Sequence, residues 1–346
     1  MLFQYQSTSL TLLENKFQAI RSDMQGEAPF APRWIIVQNR EMEQWLTLRE
    51  ASQSGISANN KFIFPLELIW KLYRLKDNSI PSVLPFDLVP MQWSIFSLLL
   101  EQPNLVQGYG FNSEDLNPER LFQVSTNLAD VFDLYQVFRP DLILSWQKGF
   151  QKFNSKEEEW QAKIWVALCA KIGETDLPSR AQALTKLITW LESDQFPLES
   201  LPKSLYVFGV SQISQPFSDL LASLSKKIDV HFFTQSIQDE DTGNRNSAWT
   251  DFKTKLTKPA LDQEIVLARS EQSFSSRSEV QVILSELNAT NNLLSNIQKA
   301  MLGNEVTSFE KDASFSIHSC HSVKREVEVL KDELLTVLNE DVSLMP

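Results

Sequence analysis

Short apolar runs separated by amphipathic segments predict a sheet of buried parallel strands with helices between them. Runs of this kind lie at 2–5, 34–37, 205–210 and 228–233, and such runs are typical of strands that are covered on both faces. The last two flank a helical segment at 216–224. This order predicts a right-handed parallel β-α-β unit that shares one sheet with the strand at 34–37.

Helical periodicity fills much of the remaining chain. Helices are expected at about 9–20 with Ser9 as N-cap, at 41–50, and from Pro65 to about 72, since proline is well tolerated at a helix start. From 91 to about 190 one amphipathic segment follows another. The sequence therefore predicts an α/β sheet domain that is divided by an all-helical insertion.

The last part of the chain is more polar. The stretch from about 238 to 313 carries one predicted helix, near 279–301. A strand is predicted at 314–318 and a helix at 324–339, with Ser322 as the N-cap of that helix.

Composition and charge limit the functions open to this chain. Its 346 residues are 42% hydrophobic, which is enough for about two domains. The formal net charge of −12 opposes the phosphate backbone and argues against tight autonomous binding of nucleic acid, although a local basic groove remains compatible with it. Two cysteines and the lack of a run of about 18–20 apolar residues favour the reducing cytoplasm and no membrane partner.

The predicted strand ends lack the groups that bind a nucleoside triphosphate. Ligands of open parallel sheets lie at the carboxyl ends of the strands. The segment 38–44 contains neither glycine nor a Lys-Ser/Thr pair, and the segment 209–214 contains no carboxylate that could hold Mg²⁺. The sequence thus predicts that this sheet does not use ATP.

No other catalytic or metal site is predicted. His318, Cys320 and His321 could ligate a metal, but neighbouring strand residues point to opposite faces and a fourth ligand is lacking, so a strand-to-helix turn is favoured over zinc. The acidic run 157–159 is interpreted as a solvated helix face. No Gly-x-Ser-x-Gly elbow is present for a serine nucleophile.

Several strings, spread over nearly the whole chain apart from about 238–309, resemble the RecC family in their order and separation. They are Ile36-Val37-Gln38, Glu43-Gln44-Trp45-Leu46, Phe64-Pro65-Leu66, Ile69-Trp70, Leu121-Phe122-Gln123, Asp133-Leu134-Tyr135, Arg139-Pro140-Asp141, Trp160-Gln161-Ala162, Cys320-His321-Ser322 and Arg325-Glu326-Val327-Glu328-Val329-Leu330.

The resemblance implies a superfamily-1 helicase-like parallel sheet domain with an all-helical insertion subdomain and a degenerate nucleotide site. It assigns 1–90 together with 200–320 to the sheet domain and 91–199 to the insertion. Residues 321–346 would begin a second motor-like domain of a longer protein.

The resemblance also implies a function. Members of the family are the gamma subunit of exodeoxyribonuclease V, working with a beta subunit (RecB, helicase and nuclease) and an alpha subunit (RecD, helicase), which use ATP and Mg²⁺. The gamma subunit splits double-stranded DNA and holds the 3′-ended single strand, which it scans for the regulatory sequence Chi. No cofactor is expected in this chain.

The family's Chi-reading positions carry over onto nine residues. Gln38, Gln44 and Trp70 match the family pattern directly. Asp130 and Asp133 match its paired acids, with Val131 between them, and Arg180 matches within Arg180-Ala181. Phe64 stands where the family has another apolar residue, and Arg40 stands where it has a small hydroxyl residue. The set is Gln38, Arg40, Gln44, Phe64, Trp70, Asp130, Val131, Asp133 and Arg180.

These residue types suit recognition of unpaired bases, because glutamine offers a donor and an acceptor and tryptophan stacks on a base. Structural alternatives stay open: Trp70 lies at core-like helical spacing, and Asp130 and Asp133 share a helix face and could pair with a nearby arginine. An active helicase ATPase and a purely structural adaptor also remain as alternative functions.

Overall fold

The chain divides into two compact units, which are described separately. The first comprises 1–237 with 257–285, and the second comprises 238–256 with 286–346. The computed structural model describes residues 1–23, 32–106, 117–153, 155–173, 177–193, 196–211, 213–235, 278–283, 292–301, 306 and 310–341.

A six-stranded sheet, parallel throughout, lies in the first unit. Its strand order is β3-β2-β4-β5-β1-β6. The sequence-based prediction of a parallel α/β sheet is confirmed, including the β-α-β unit of β4 and β5 and its pairing with β2. The strands are β1 (Leu2–Ser7), β2 (Arg33–Val37), β3 (Asn60–Ile63), β4 (Ser204–Phe208), β5 (Asp229–Gln235) and β6 (Ser278–Val282).

Helices cover both faces of this sheet, which explains why the strands are apolar at successive positions rather than at alternate ones. On one face Ile36 and Val207 pack in a core with α3, α8 and α9. On the other face Ile35 and Phe208 pack with α1 and α2. These helices are α1 (Leu10–Asp23), α2 (Arg40–Ser54), α3 (Pro65–Lys76), α8 (Arg180–Glu192) and α9 (Gln215–Ser225).

The helical region between β3 and β4 has a separate core. Met91, Phe132, Trp146 and Trp165 are buried within it. Helix α8 joins the two cores, since Ala181 packs in the helical core and the rest of its apolar stripe packs on the sheet. The other helices of this region are α4 (Leu88–Glu101), α5 (Pro118–Phe138), α6 (Pro140–Gln147) and α7 (Lys156–Ile172). The predicted domain boundaries stay a prediction.

Helix starts follow side-chain capping, which satisfies otherwise unpaired N–H groups. Ser9 Oγ accepts a hydrogen bond from Leu12 N–H at 3.4 Å, as expected of a cap. Ser322 caps α11 (Val323–Glu340) by accepting from Arg325 N–H at 3.3 Å, so this predicted cap is confirmed.

Two predictions for the last part of the chain are wrong. Residues 314–318 lie within the described range 310–341 and form no strand there. Asp312 and Ser314 instead form a turn, and they accept hydrogen bonds from the first N–H groups of α10 (Leu293–Met301). The helix predicted at 279–301 is also wrong at its start, because β6 pairs with β1 there and the helix begins only at Leu293. Residues 284–291 lie outside the described residues.

Among the helices that the structure describes, none combines the length and the apolar character needed to cross a bilayer.

Candidate functional site

A groove lies at the carboxyl ends of β2 and β3, where ligands of parallel sheets bind. It has a volume of about 550 Å³ and is lined by Arg40, Glu43, Gln44, Thr47, Leu48 and Phe64. Three of these, Arg40, Gln44 and Phe64, belong to the predicted Chi-reading set. The groove offers a cation, an amide with a donor and an acceptor, and an aromatic ring.

The start of α2 determines which side chains line this groove. Asn39 ends the turn after β2, and its side-chain oxygen accepts from Met42 N–H at 2.9 Å. With the helix beginning at Arg40, residues 40, 44 and 47 fall on one face. Phe64 follows β3 directly, and its N–H donates to Glu67 at 3.5 Å. Both ends of the groove are therefore positioned by helix capping.

Gln38 takes part in a different arrangement, which ties the end of β2 to the end of β4. Its Oε1 accepts from the N–H of Ser211 at 3.1 Å and from the hydroxyl of Ser211 at 2.8 Å. Beside it, Gly209 has φ +64°, and a Cβ at this position would lie 2.7 Å from the terminal methyl group of Met42. Side chains therefore fill the space between these two strand ends.

Trp70 packs mainly inside the protein. It is half-buried against the core of the sheet, with its ring 6.0 Å from that of Tyr73, which in turn lies 4.8 Å from Trp190. Trp70 is not among the described residues that line the groove. Its side chain is partly exposed.

Asp133 and Arg180 form an ion pair that links α5 to the start of α8. The Nη1 atom of Arg180 donates to Asp133 at 2.9 Å, and Nη2 lies 3.9 Å from Asp87. The Arg180 side chain is only 10% exposed, so the pair holds a largely buried charge. Asp130 is exposed on the same helix and Val131 is half-buried. This geometry matches the pairing with an arginine that the sequence left open.

The structure thus brings the predicted residues together in two groups. Arg40, Gln44 and Phe64 share the groove, and Asp133 and Arg180 share an ion pair. In the part of the chain that is described, no hydrogen bond or ion pair connects the two groups.

Two charged residues have environments that the sequence did not predict. Glu158 is buried rather than solvated, and it accepts from Trp146 Nε1 at 2.9 Å and from the N–H groups of Lys152 and Phe153 at 2.7 and 2.6 Å. Its position three residues after Ser155, as in a capping box, was the available signal. Burial, with Lys61 nearby, lowers the pKa of Lys71 to about 7, and its Nζ lies 3.9 Å from the centre of the Trp34 ring.

The described residues hold no group of three or more His, Cys, Asp or Glu side chains that could bind a metal ion, and this includes the segment with His318, Cys320 and His321.

Comparison with known proteins gives one consistent family. The model of the RecC N-terminal domain matches residues 2–343. RecBCD enzyme subunit RecC of Escherichia coli K12 is 29% identical over 100% of this chain and 36% of its own length. The proteins of the same name from Haemophilus influenzae and Mycolicibacterium smegmatis are each 26% identical, over 100% and 97% of this chain and 37% and 31% of their own lengths. The chain spans about a third of the length of these relatives.

Proposed function

We propose, from the premise that this chain belongs to the RecC N-terminal domain family, that it is part of the gamma subunit of a helicase–nuclease of the RecBCD type. In this role it contributes to the repair of double-strand breaks and to recombination. It works without catalysis of its own, helps to separate duplex DNA, and guides the 3′-ended single strand while scanning it for Chi.

The observation that carries this proposal is the groove at the ends of β2 and β3. An exposed glutamine and an arginine stand beside a partly exposed aromatic ring, at Gln44, Arg40 and Phe64. Glutamine and arginine can hydrogen-bond to base edges, and a phenyl ring can stack on an unpaired base for about 1–3 kcal/mol.

The contacts at the ends of β2 and β4 support a non-catalytic role. A phosphate-binding loop needs backbone N–H groups that face open space. Here, at the carboxyl ends of β2 and β4, Gln38 bonds to Ser211 and Met42 packs on Gly209. These contacts support the proposal that this sheet binds no nucleotide. The use of ATP and Mg²⁺ is therefore assigned to the RecB-type and RecD-type partner subunits. We place the assembly in the cytoplasm.

Charge explains why scanning requires the partners. With a net charge of −12 the chain repels the phosphate backbone. The isolated chain should therefore bind single-stranded DNA with a Kd above about 1 µM at physiological salt. Nanomolar binding by the isolated chain would contradict this account of its surface.

The test uses the full-length subunit in the assembled enzyme. We expect Gln44→Ala and Trp70→Ala to leave ATP-driven unwinding near the wild-type rate and to weaken or alter the response to Chi, since each lost base contact costs about 1–3 kcal/mol of discrimination. Gln53→Ala is the matched control, because Gln53 lies on the same helix outside the groove. A wild-type response to Chi in both variants would refute the assigned site.

Asp133 needs a gentler substitution, because it neutralises Arg180. Asp133→Asn keeps the shape and a hydrogen-bond acceptor. An altered response to Chi with normal assembly would support a role in reading DNA, whereas loss of assembly or unwinding would assign the pair to the structural framework.

Two further measurements separate the alternative functions. Binding and DNA-stimulated hydrolysis of ATP·Mg²⁺ by the purified chain would identify an active ATPase. Failure of single-stranded DNA to crosslink to this subunit in the assembled enzyme would identify a purely structural adaptor.

A further inference from the structure

The side chain of Glu43 lines the groove at the carboxyl ends of β2 and β3, beside Arg40 and Gln44. The resemblance to the RecC family assigns it no role. Arg40 and Glu43 are three residues apart on α2 and do not pair with each other, and within the described part of the chain none of the three side chains has a hydrogen bond or an ion pair. A cation, a carboxylate and an amide are therefore available to a ligand of this groove.

The rest of the groove offers an apolar surface. Leu48 is 60% exposed and Phe64 is partly exposed, and both line the groove. The hydroxyl of Thr47 donates to the backbone oxygen of Glu43 at 2.8 Å, so the helix itself uses this donor. The volume of about 550 Å³ falls within the range of about 300–1,000 Å³ that is typical of small-molecule sites. A flat aromatic ligand therefore finds both room and a surface on which to stack.

The carboxylate of Glu43 determines which part of a DNA strand can enter the groove. It repels the phosphate groups of the backbone, because two like charges are costly to bring close together. An unpaired base, in contrast, turns its polar edges and its flat face toward a protein. The ligand that fits a carboxylate beside an aromatic ring is therefore a base rather than the backbone.

Guanine is the base whose pairing edge matches a carboxylate. Its N1–H and its 2-amino group are adjacent donors, and they fit the two acceptor oxygens of Glu43. Its O6 and N7 atoms are the acceptors that an arginine fork binds, and Arg40 supplies such a fork. On the same edge cytosine and adenine have a ring-nitrogen acceptor beside the amino group, and thymine has a carbonyl oxygen on each side of its N–H. Each of these three bases would place a lone pair against the carboxylate.

We propose that Glu43 is a further specificity-determining residue of this groove, and that its carboxylate binds the pairing edge of one unpaired guanine in the scanned strand. Arg40 binds O6 and N7 of the same base, and Phe64 stacks on its face. The inference rests on the proposed function, to which it adds the base that the groove selects and the residue that selects it.

The first experiment uses the full-length subunit in the assembled enzyme, acting on duplexes that carry a randomised segment. Sequencing of the products identifies the sequences to which the enzyme responds. We expect the wild type to require guanine at one position and Glu43→Gln to lower this preference about tenfold, as for the loss of one bidentate contact to a base. Glu41→Gln is the matched control, because it removes the same charge from the same first turn of α2 and Glu41 is not among the described residues that line the groove.

The second experiment changes single atoms of the base at that position. Inosine lacks the 2-amino group, so it should weaken the response of the wild type about fivefold and leave that of Glu43→Ala as it is with guanine. 7-Deazaguanine lacks N7, so it should weaken the response of the wild type but not that of Arg40→Ala. An equal loss with inosine in the wild type and in Glu43→Ala would overturn the proposed contact.

The outcomes separate this inference from the proposed function. Thermal unfolding of Glu43→Gln should match the wild type, because the Glu43 side chain has no bonding partner among the described residues. The inference alone fails if the wild type requires no guanine, if Glu43→Gln keeps the full preference, if Glu41→Gln loses as much, or if Glu43→Gln loses its response to all sequences alike. A wild-type enzyme that responds to no sequence refutes the proposed function as well.

Discussion

His231 should make the stability of this protein sensitive to mild acid. The side chain lies in β5 with 3% of its surface exposed, stacked on Phe3 at 4.8 Å and on Tyr206 at 5.3 Å between ring centres. Its Nδ1 lies 3.3 Å from the hydroxyl of Tyr5. Burial lowers the pKa of His231 from 6.5 to about 4, because the charged imidazolium would lose its hydration inside the sheet.

The sign and size of the effect follow from proton linkage. Between pH 6.5 and 4 the unfolded chain binds a proton at this position that the folded chain does not, so the free energy of unfolding falls as the pH falls. The loss from His231 alone should reach about 2 kcal/mol at pH 5 and about 3 kcal/mol at pH 4, and it should level off at lower pH. Above pH 6.5 both states are neutral and the effect disappears.

The assay is urea unfolding at several pH values, followed by tryptophan fluorescence, for the wild type and His231→Phe. Phenylalanine keeps the ring stack and cannot be protonated, so the difference between the two proteins isolates this residue from other titrating groups. His318→Phe is the control, because His318 is 42% exposed. If the wild type and His231→Phe lose stability in parallel between pH 7.5 and 5, the burial argument is wrong.

Three further outcomes are expected. Glu50→Gln should lower the free energy of unfolding by about 3 kcal/mol in urea titrations, because it leaves the buried guanidinium of Arg21 without its charged partner. Glu158→Gln should cost about 2 kcal/mol and speed hydrogen exchange of the loop after α6, since one amide oxygen cannot replace both carboxylate oxygens. Burial raises the pKa of Cys169 to about 11, so alkylation by iodoacetamide at pH 8, followed by mass spectrometry, should be roughly a hundredfold slower than for a thiol with the ordinary pKa of 9.0.

Local sequence patterns were sufficient for the buried central strands and most of the helices. The segments predicted as strands at 34–37, 205–210 and 228–233 are mostly apolar, and a central strand needs this character because helices cover both of its faces. The sequence did not predict the edge strands β3 and β6. Each is short and partly polar, and each becomes a strand by pairing with the backbone of its neighbour, β2 or β1.

The residue strings predicted which residues belong to the candidate site, but only the fold shows which of them lie together. Arg40 and Gln44 lie one helical turn apart, so the sequence places them on a shared face once Asn39 is recognised as the N-cap of α2. That Phe64 completes the groove depends on the pairing of β2 with β3.

The sequence by itself determined the α/β class and the order of the central elements, because the burial of apolar runs is a local property of the chain, and the order and separation of its residue strings indicated the family. The tertiary structure decided which charges are buried. Glu158, predicted to be solvated, is buried and binds the backbone of a loop. Asp133 pairs with Arg180, which lies 47 positions away in the chain. Gln38 and Met42 fill the space between the ends of β2 and β4. Such pairings join residues that are distant in sequence, and their energies depend on distance and dielectric environment, which exist only after the chain has folded.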